Sequence, residues 1–242
     1  MAIGSLSNLT GPAVVVTGAT LCLVSSYLCL SWAAHLRRRG VRAGYTRKVF
    51  HVLIFTSAVL ANGLGGFRGV CVFGAMVSLV VGHALLLGPS SARYQALARE
   101  QDRPYRTRYI IIPYFATLIG GMVSNIFFGP LSVVGYLVGG LGDAAGEPAG
   151  TRWGSHPYVR HSGRAMVTKT FEGSCAVLVA SSLALVIAVA ITPELHFGLR
   201  SAVAIPAIAL VCTLVEAFSP RGWDNVPMQI VPTILTTFLL TK

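Results

Sequence analysis

Residues 175–192 read CAVLVASSLALVIAVAIT, an apolar run without a single charged residue. A helix needs about 20 mostly apolar residues to cross a bilayer, with some latitude, so this run reads as a membrane span. Comparable runs lie on either side of it, over roughly 12–34, 69–88, 109–128 and 199–218. Three weaker ones, about 49–64, 130–146 and 226–241, are short or interrupted by Gly and polar residues. Irregular backbone at membrane depth is tolerated only where it is buried in protein or faces water, so interrupted segments are where a site is expected. The expected fold is an all-α polytopic integral membrane bundle of about eight transmembrane helices, within a range of about seven to nine, forming one domain over residues 1–242.

Composition agrees. Of 242 residues, 54% are hydrophobic and 11% charged, with mean hydropathy +0.69. Soluble domains carry roughly 25% charged residues, so a water-soluble enzyme, a secreted disulfide scaffold and a disordered tail are excluded. Cys22, Cys29, Cys71, Cys175 and Cys212 sit in or beside apolar runs, with no CxxC pair, and read as small apolar core residues. The formal charge of +11 would raise nucleic-acid binding in a soluble protein. With eight helices, however, one side collects Arg37, Arg38, Arg39, Arg42, Arg47, Lys48, Arg93, Arg99, Arg103, Arg106, Arg108, Arg152, Arg160, Arg164, Lys169 and Arg221. Only Arg68, Arg200 and Lys242 fall on the other. Basic loops stay cytoplasmic, so both termini are expected on the non-cytoplasmic side and the charge is a topology signal, with no nucleic-acid partner implied. The first run lacks a basic leader and is too long for a signal peptide, and so reads as a retained span. Asn8-Leu-Thr10 matches a glycosylation sequon very close to the membrane. The stretch Ser90–Arg108 alternates basic and apolar residues and is expected along the membrane surface.

Acidic residues are scarce, which makes their positions informative. Asp143, Glu147, Glu172, Glu216 and Asp224 all fall at cytoplasmic helix ends or in cytoplasmic loops, whereas Glu100 and Asp102 read as solvated ion-pair partners and Glu194 as inert. In Gly142-Asp143-Ala-Ala-Gly146-Glu147-Pro148-Ala-Gly150-Thr-Arg152-Trp-Gly154 the two acids are four apart and share a helix face. Paired carboxylates suit a hard cation such as Mg²⁺ held together with phosphate oxygens. The glycines would let backbone approach a phosphate, or let helices pack closely.

In Thr168-Lys169-Thr170-Phe-Glu172-Gly173-Ser174, Lys169 supplies a point charge for phosphate and Thr170 and Ser174 supply hydroxyls. The P-loop pattern is absent, and Thr170 or Ser174 also suits a helix N-cap. In the loop from Glu216 through Ser219 to Asp224-Asn225, the Asp-Asn pair can cap the next helix. Glu216 is harder to dismiss, because burying an unpaired carboxylate is costly. Finally, Arg47, Lys48 and His51 are three and four apart and share a helix face, where they can hold an anion.

Four motifs in order, Arg47-Lys48-x-x-His51, Gly142-Asp143-Ala-Ala with Gly150 and Gly154, Lys169-Thr170-x-Glu172-Gly173-Ser174, and the Ser219–Asn225 loop, resemble the polyprenol kinase and CTP-dependent lipid kinase family over roughly residues 46–232. That family includes dolichol kinase, phytol kinase and CTP-dependent diacylglycerol kinase, and is distantly related to phosphatidate cytidylyltransferase. The resemblance implies transfer of the γ-phosphate of CTP to the hydroxyl of a membrane lipid alcohol, most simply an isoprenoid one, with Mg²⁺. Asp143, Glu147 and Asp224 are then the expected metal ligands. Arg47, Lys48, Gly142, Gly150, Arg152, Gly154, Lys169, Thr170, Gly173, Ser174 and Asn225 are expected around the nucleotide. Glu172 and His51 are the candidate general bases, and Asp224 could also orient the acceptor.

The chain departs from the cytidylyltransferase signature and is shorter than dolichol kinases. Glu147-Pro148 stands where some relatives have small apolar residues. Diacylglycerol phosphorylation, cytidylyl transfer to phosphatidate and cation-coupled transport are the competing readings. A transporter would place its acids near the bilayer midplane, whereas these collect at one edge, on the side of the nucleotide pool.

Overall fold

Two glycines decide how the apolar runs fold. In the computed structural model, which describes residues 12–162 and 165–241, α1 (Pro12–Arg38) leads into α2 (Ala43–Leu87), a helical stretch of 45 residues. At Gly66 the backbone takes φ 55°, ψ −147°, a conformation that residues with a Cβ avoid. A Cβ placed on Gly69 would lie 2.4 Å from the Ala61 carbonyl oxygen. A straight helix rises about 1.5 Å per residue and cannot bring those positions together, so the chain reverses at Gly66. The same happens after α4 (Arg108–Phe128) at Gly129, where φ is 52°. There a Cβ on Gly121 would come within 3.2 Å of the Tyr136 ring.

The two reversals are tied together by buried polar groups. Asn62 Nδ2 donates to Asn125 Oδ1 (3.0 Å) and to Ser132 Oγ (2.7 Å), and Ser132 Oγ donates to Asn125 Oδ1 (3.2 Å). Asn125 Nδ2 in turn donates to the Gly121 carbonyl (2.9 Å) and to the Tyr136 hydroxyl. Mutual satisfaction is what allows such groups to sit away from water.

After α3 (Ala92–Leu97) and α4, the chain continues through α5 (Ser132–Leu137), a widened π turn (Val138–Gly142) and α6 (Asp143–Trp153). It closes with α7 (Phe171–Ile191), α8 (Leu199–Phe218) and α9 (Asn225–Leu240). Between α6 and α7 lies an antiparallel hairpin of β1 (Pro157–Ser162) and β2 (Ala165–Thr170), with Pro157 opposite Thr170. The expectation of an all-α chain omitted this hairpin. Its Tyr158, Val159, Val167 and Thr168 are residues that fit a pleated strand.

Among the described residues, five helical stretches are long and apolar enough to cross a membrane, at 13–38, 43–87, 108–153, 171–191 and 199–218; α9 is a shorter apolar helix. Their outward faces are strongly apolar: Leu64, Leu86 and Leu199 are each 88% exposed. A water-soluble protein rarely presents apolar surface on this scale. One core gathers Leu30, Phe55, Phe73, Val80 and Ala84 with Tyr94 and Leu97, and a second gathers Val177, Leu185, Ile208, Cys212 and Met228. The 90–108 segment packs Tyr94, Ala96, Leu97 and Ala98 against α1 and α2 and leaves Glu100, Gln101, Arg103, Tyr105, Thr107 and Arg108 exposed. The Asn8 sequon lies outside the described residues.

Candidate functional site

The widened turn at Val138–Gly142 delivers Asp143 into the interior. Such π turns recur where a helix must re-aim a functional group. A Cβ at Gly140 would meet the Phe55 side chain at 2.5 Å, so small residues are required for the turn to nest against α2. His51, one turn along α2 from Arg47 and Lys48, has its Nε2 2.9 Å from the Gly139 carbonyl and 3.5 Å from Asp143 Oδ2. A carbonyl only accepts, so Nε2 carries the proton.

Three carboxylates converge. One oxygen each from Asp143, Glu216 and Asp224 lie within 4.8 Å of one another, although the residues come from α6, α8 and the residue preceding α9. Asp143 and Glu216 are 4% and 8% exposed. Each has a lysine for company. Lys48 Nζ donates to Asp143 Oδ2 (2.6 Å) and to the Asp143 carbonyl (2.9 Å), while Lys169 Nζ donates to Glu216 Oε1 (2.5 Å) and to its carbonyl (2.7 Å). Asp224 has no ion-pair partner among the described residues. It caps α9 by accepting from the Asn225 backbone N–H (3.2 Å). Burial first, then the neighbouring charges of Asp143 and Glu216, push its carboxyl up to about 6, against a partial offset from Lys48 and Lys169.

These groups line one cavity of about 830 Å³. Its polar end holds the three carboxylates with Arg47, Lys48, Arg160, Lys169 and Arg221; its other arm is lined by Phe50, Phe55, Phe73, Val77, Ile110 and Leu118. Arg160, from β1, donates to the Phe218 carbonyl (3.2 Å) and to that of Ser219, fastening the hairpin to the end of α8. The donor set is all hard oxygen at a spacing that a divalent cation can draw together, so these residues fit Mg²⁺.

The structure gathers some of the expected residues and sets others aside. Arg47, Lys48, His51, Asp143, Gly150, Lys169, Thr170, Gly173, Ser174, Asp224 and Asn225 all line the cavity. Glu147 lines it too but does not join the carboxylate group, which takes Glu216 instead. Arg47 (2.7 Å) and Arg99 (3.2 Å) hold Glu147 to one side. Glu172 is away from the cavity, its carboxylate accepting from the His156 backbone N–H (3.2 Å) and paired with His156 Nδ1 (2.7 Å). Arg152 is exposed on the outer side of α6 and does not line the cavity.

Gly142 and Gly154 do not line it either. A Cβ on Gly142 would meet Ser181 Oγ at 2.3 Å, and one on Gly173 the Gly146 carbonyl at 2.9 Å, so this glycine series packs α6 onto α7. Thr170 is the N-cap of α7, accepting from Gly173 N–H (3.1 Å), and Ser174 Oγ bonds to the Tyr158 hydroxyl (2.8 Å).

Three arginines were not expected at the site. Arg99 and Arg221 both pair with Asp102, whose side chain is buried where a solvated pair was expected, and Arg160 needed the hairpin to reach inward. The one signal available for Glu216 was a carboxylate at the end of an apolar helix. Compared with models of known protein families, with curated proteins and with solved structures, the chain matches none.

Proposed function

We propose that the chain is a membrane phosphotransferase. In this reading it moves the γ-phosphoryl group of a nucleoside triphosphate, CTP by the resemblance above, onto the hydroxyl of a lipid alcohol of isoprenoid type. The observation that carries this reading is the single cavity with a carboxylate-and-cation end continuous with an apolar arm. A nucleotide and a hydrocarbon tail require just those two linings, side by side. Phosphoryl transfer is mostly positioning and charge neutralisation, and this chain's residues supply both.

Asp143 and Glu216 would hold Mg²⁺, which when bound neutralises phosphate charge and orients the triphosphate. Lys48 and Lys169, each now on a carboxylate, would turn their charge to the phosphates, and Arg47, Arg160 and Arg221 line the same cavity. The acceptor oxygen forms the new bond to the γ-phosphorus as the bond to the β-phosphate oxygen breaks, and the nucleoside diphosphate leaves. The hydroxyl proton passes to Asp224, a carboxylate that lines the cavity beside Asp143 and Glu216 and has no lysine or arginine paired to it among the described residues. His51 is poorly placed for that role, since its Nε2–H is committed to Gly139, and Glu172 is out of reach.

If the reversals at Gly66 and Gly129 divide the two long stretches, the chain crosses the bilayer eight times, as the basic loops require. Both termini then lie away from the cytoplasm and the polar end of the cavity opens on the cytoplasmic side. Purified protein in lipid micelles, given Mg²⁺ and γ-labelled CTP or ATP with phytol, a longer polyprenol or diacylglycerol, tests the activity. Label entering an isoprenoid alcohol, and lost in Asp143→Asn, supports the reading. Label in diacylglycerol alone changes the acceptor. Pyrophosphate release from CTP with phosphatidate, and no transfer to any alcohol, overturns it.

A further inference from the structure

We infer that Asn225 is the residue that reads the acceptor's hydroxyl, an inference that rests on the phosphotransfer reading above. Asn225 follows Asp224 at the start of α9 and is 4% exposed. Its Nδ2 donates to the Pro113 carbonyl (3.1 Å) and to Thr117 Oγ1 (2.7 Å). The orientation of the amide is forced. Thr117 spends its own hydroxyl proton on the Pro113 carbonyl (2.9 Å), so both neighbours can only accept, and a flipped amide would set oxygen against oxygen. Oδ1 therefore faces the other way, and it has no hydrogen-bond partner among the described residues. An unpaired buried carbonyl is unusual enough to need an explanation.

Its place in the cavity supplies one. Asn225 lines the cavity together with its neighbour Asp224 and its amide partners Pro113 and Thr117, a junction of charged and apolar lining, with Oδ1 itself almost wholly covered. A lipid alcohol lying with its tail in the arm brings its hydroxyl to that junction, where the ligand needs an acceptor. Phosphate and carboxylate oxygens offer no proton for Oδ1, so it favours an O–H donor over an anionic head group. One turn further, Gln229 Oε1 is also unpaired, but Gln229 does not line the cavity and is no candidate for the same role. Asn225 thus acts as a specificity-determining contact that holds the hydroxyl beside the Asp224 carboxylate.

The test compares phytol with its methyl ether, which keeps the tail and loses the donor. Binding is read, without nucleotide, from the thermal stabilisation of the full-length protein in micelles; phosphate transfer is read separately. Wild type is expected to bind the alcohol about tenfold more tightly than the ether. Asn225→Ala should erase that difference and raise KM for the alcohol about tenfold. Thr117→Val, which frees the amide without removing it, should fall between the two, and it carries the test should Asn225→Ala fail to unfold cooperatively. Equal binding of alcohol and ether by wild type, or discrimination that survives in Asn225→Ala, overturns the inference. Alcohol discrimination without any phosphate transfer overturns the kinase reading and leaves Asn225 standing. Transfer with an unaltered alcohol KM in Asn225→Ala does the reverse.

Discussion

Replacing Asp224 by Asn should stabilise the cation-free protein, and only above a definite pH. The carboxyl is raised from an ordinary 3.8 to about 6. Below pH about 4 it is protonated in folded and unfolded chains alike, and its burial carries no charge penalty. As pH climbs through 6 the folded protein must ionise it against Asp143 and Glu216, and the stability present at low pH is lost. About two pH units correspond to about 3 kcal/mol at roughly 1.4 kcal/mol each, and solvent entering by the cavity lowers this to about 2 kcal/mol. The amide that Asp224→Asn puts in its place has no such proton to lose. Thermal unfolding in micelles with a chelator present should then show the variant about 4–8 °C more stable at pH 7.5, at roughly 2–4 °C per kcal/mol for a chain of this length, and level with wild type near pH 4. Added Mn²⁺ should narrow the gap, because the cation relieves in wild type what the substitution has removed. A variant no more stable than wild type at pH 7.5, or a gain that is the same at both pH values, would refute the reasoning.

Glu216→Gln should abolish Mn²⁺-dependent stabilisation and lower phosphate transfer at least about 100-fold, whereas Glu147→Gln should weaken the fold through Arg47 and Arg99 yet keep the Mn²⁺ response. Calorimetric titration and transfer rates separate the two. Glu172→Gln should leave the transfer rate within about threefold of wild type, since that side chain faces His156 on the outside. Gly135→Ala drives a methyl to 2.3 Å from the Gln229 carbonyl and should cost about 1–3 kcal/mol in thermal unfolding, while Gly18→Ala, with nothing within 4 Å, should be neutral or slightly stabilising. Cys71 is exposed and lines the apolar arm, so phytol should slow its alkylation by a membrane-permeant maleimide and leave that of exposed Cys175 unchanged.

The apolar runs were legible from the sequence because membrane spans need nothing but length and apolarity. The weak runs near 49–64 and 130–146 were legible as places of interest, and they do become the two folded-back stretches that carry His51 and Asp143. The site was less readable where a face is shared by more than one partner. Spacing put Asp143 and Glu147 on one side of α6, and they do point the same way around that helix. Spacing says nothing of arginines arriving from other segments, and Arg47 and Arg99 draw Glu147 off the trio. Glu216 joins from the far end of the chain, a convergence that no local pattern encodes. The hairpin left no comparable trace because Pro157–Thr170 mixes charge with β-formers and has no apolar period, yet it aims Arg160 and Lys169 inward.

The pairing of acids with lysines and arginines also carries an order in time. A membrane chain is made and threaded from its N-terminus, and a lone carboxylate buried away from water is expensive. Lys48 is synthesised before Asp143, Arg47 and Arg99 before Glu147, Arg99 before Asp102, and Lys169 before Glu216. Each of these acids therefore reaches the nascent bundle after its counter-charge is already in place. Asp224 comes last and has no ion-pair partner among the described residues, so its burial has no counter-charge of its own laid down in advance.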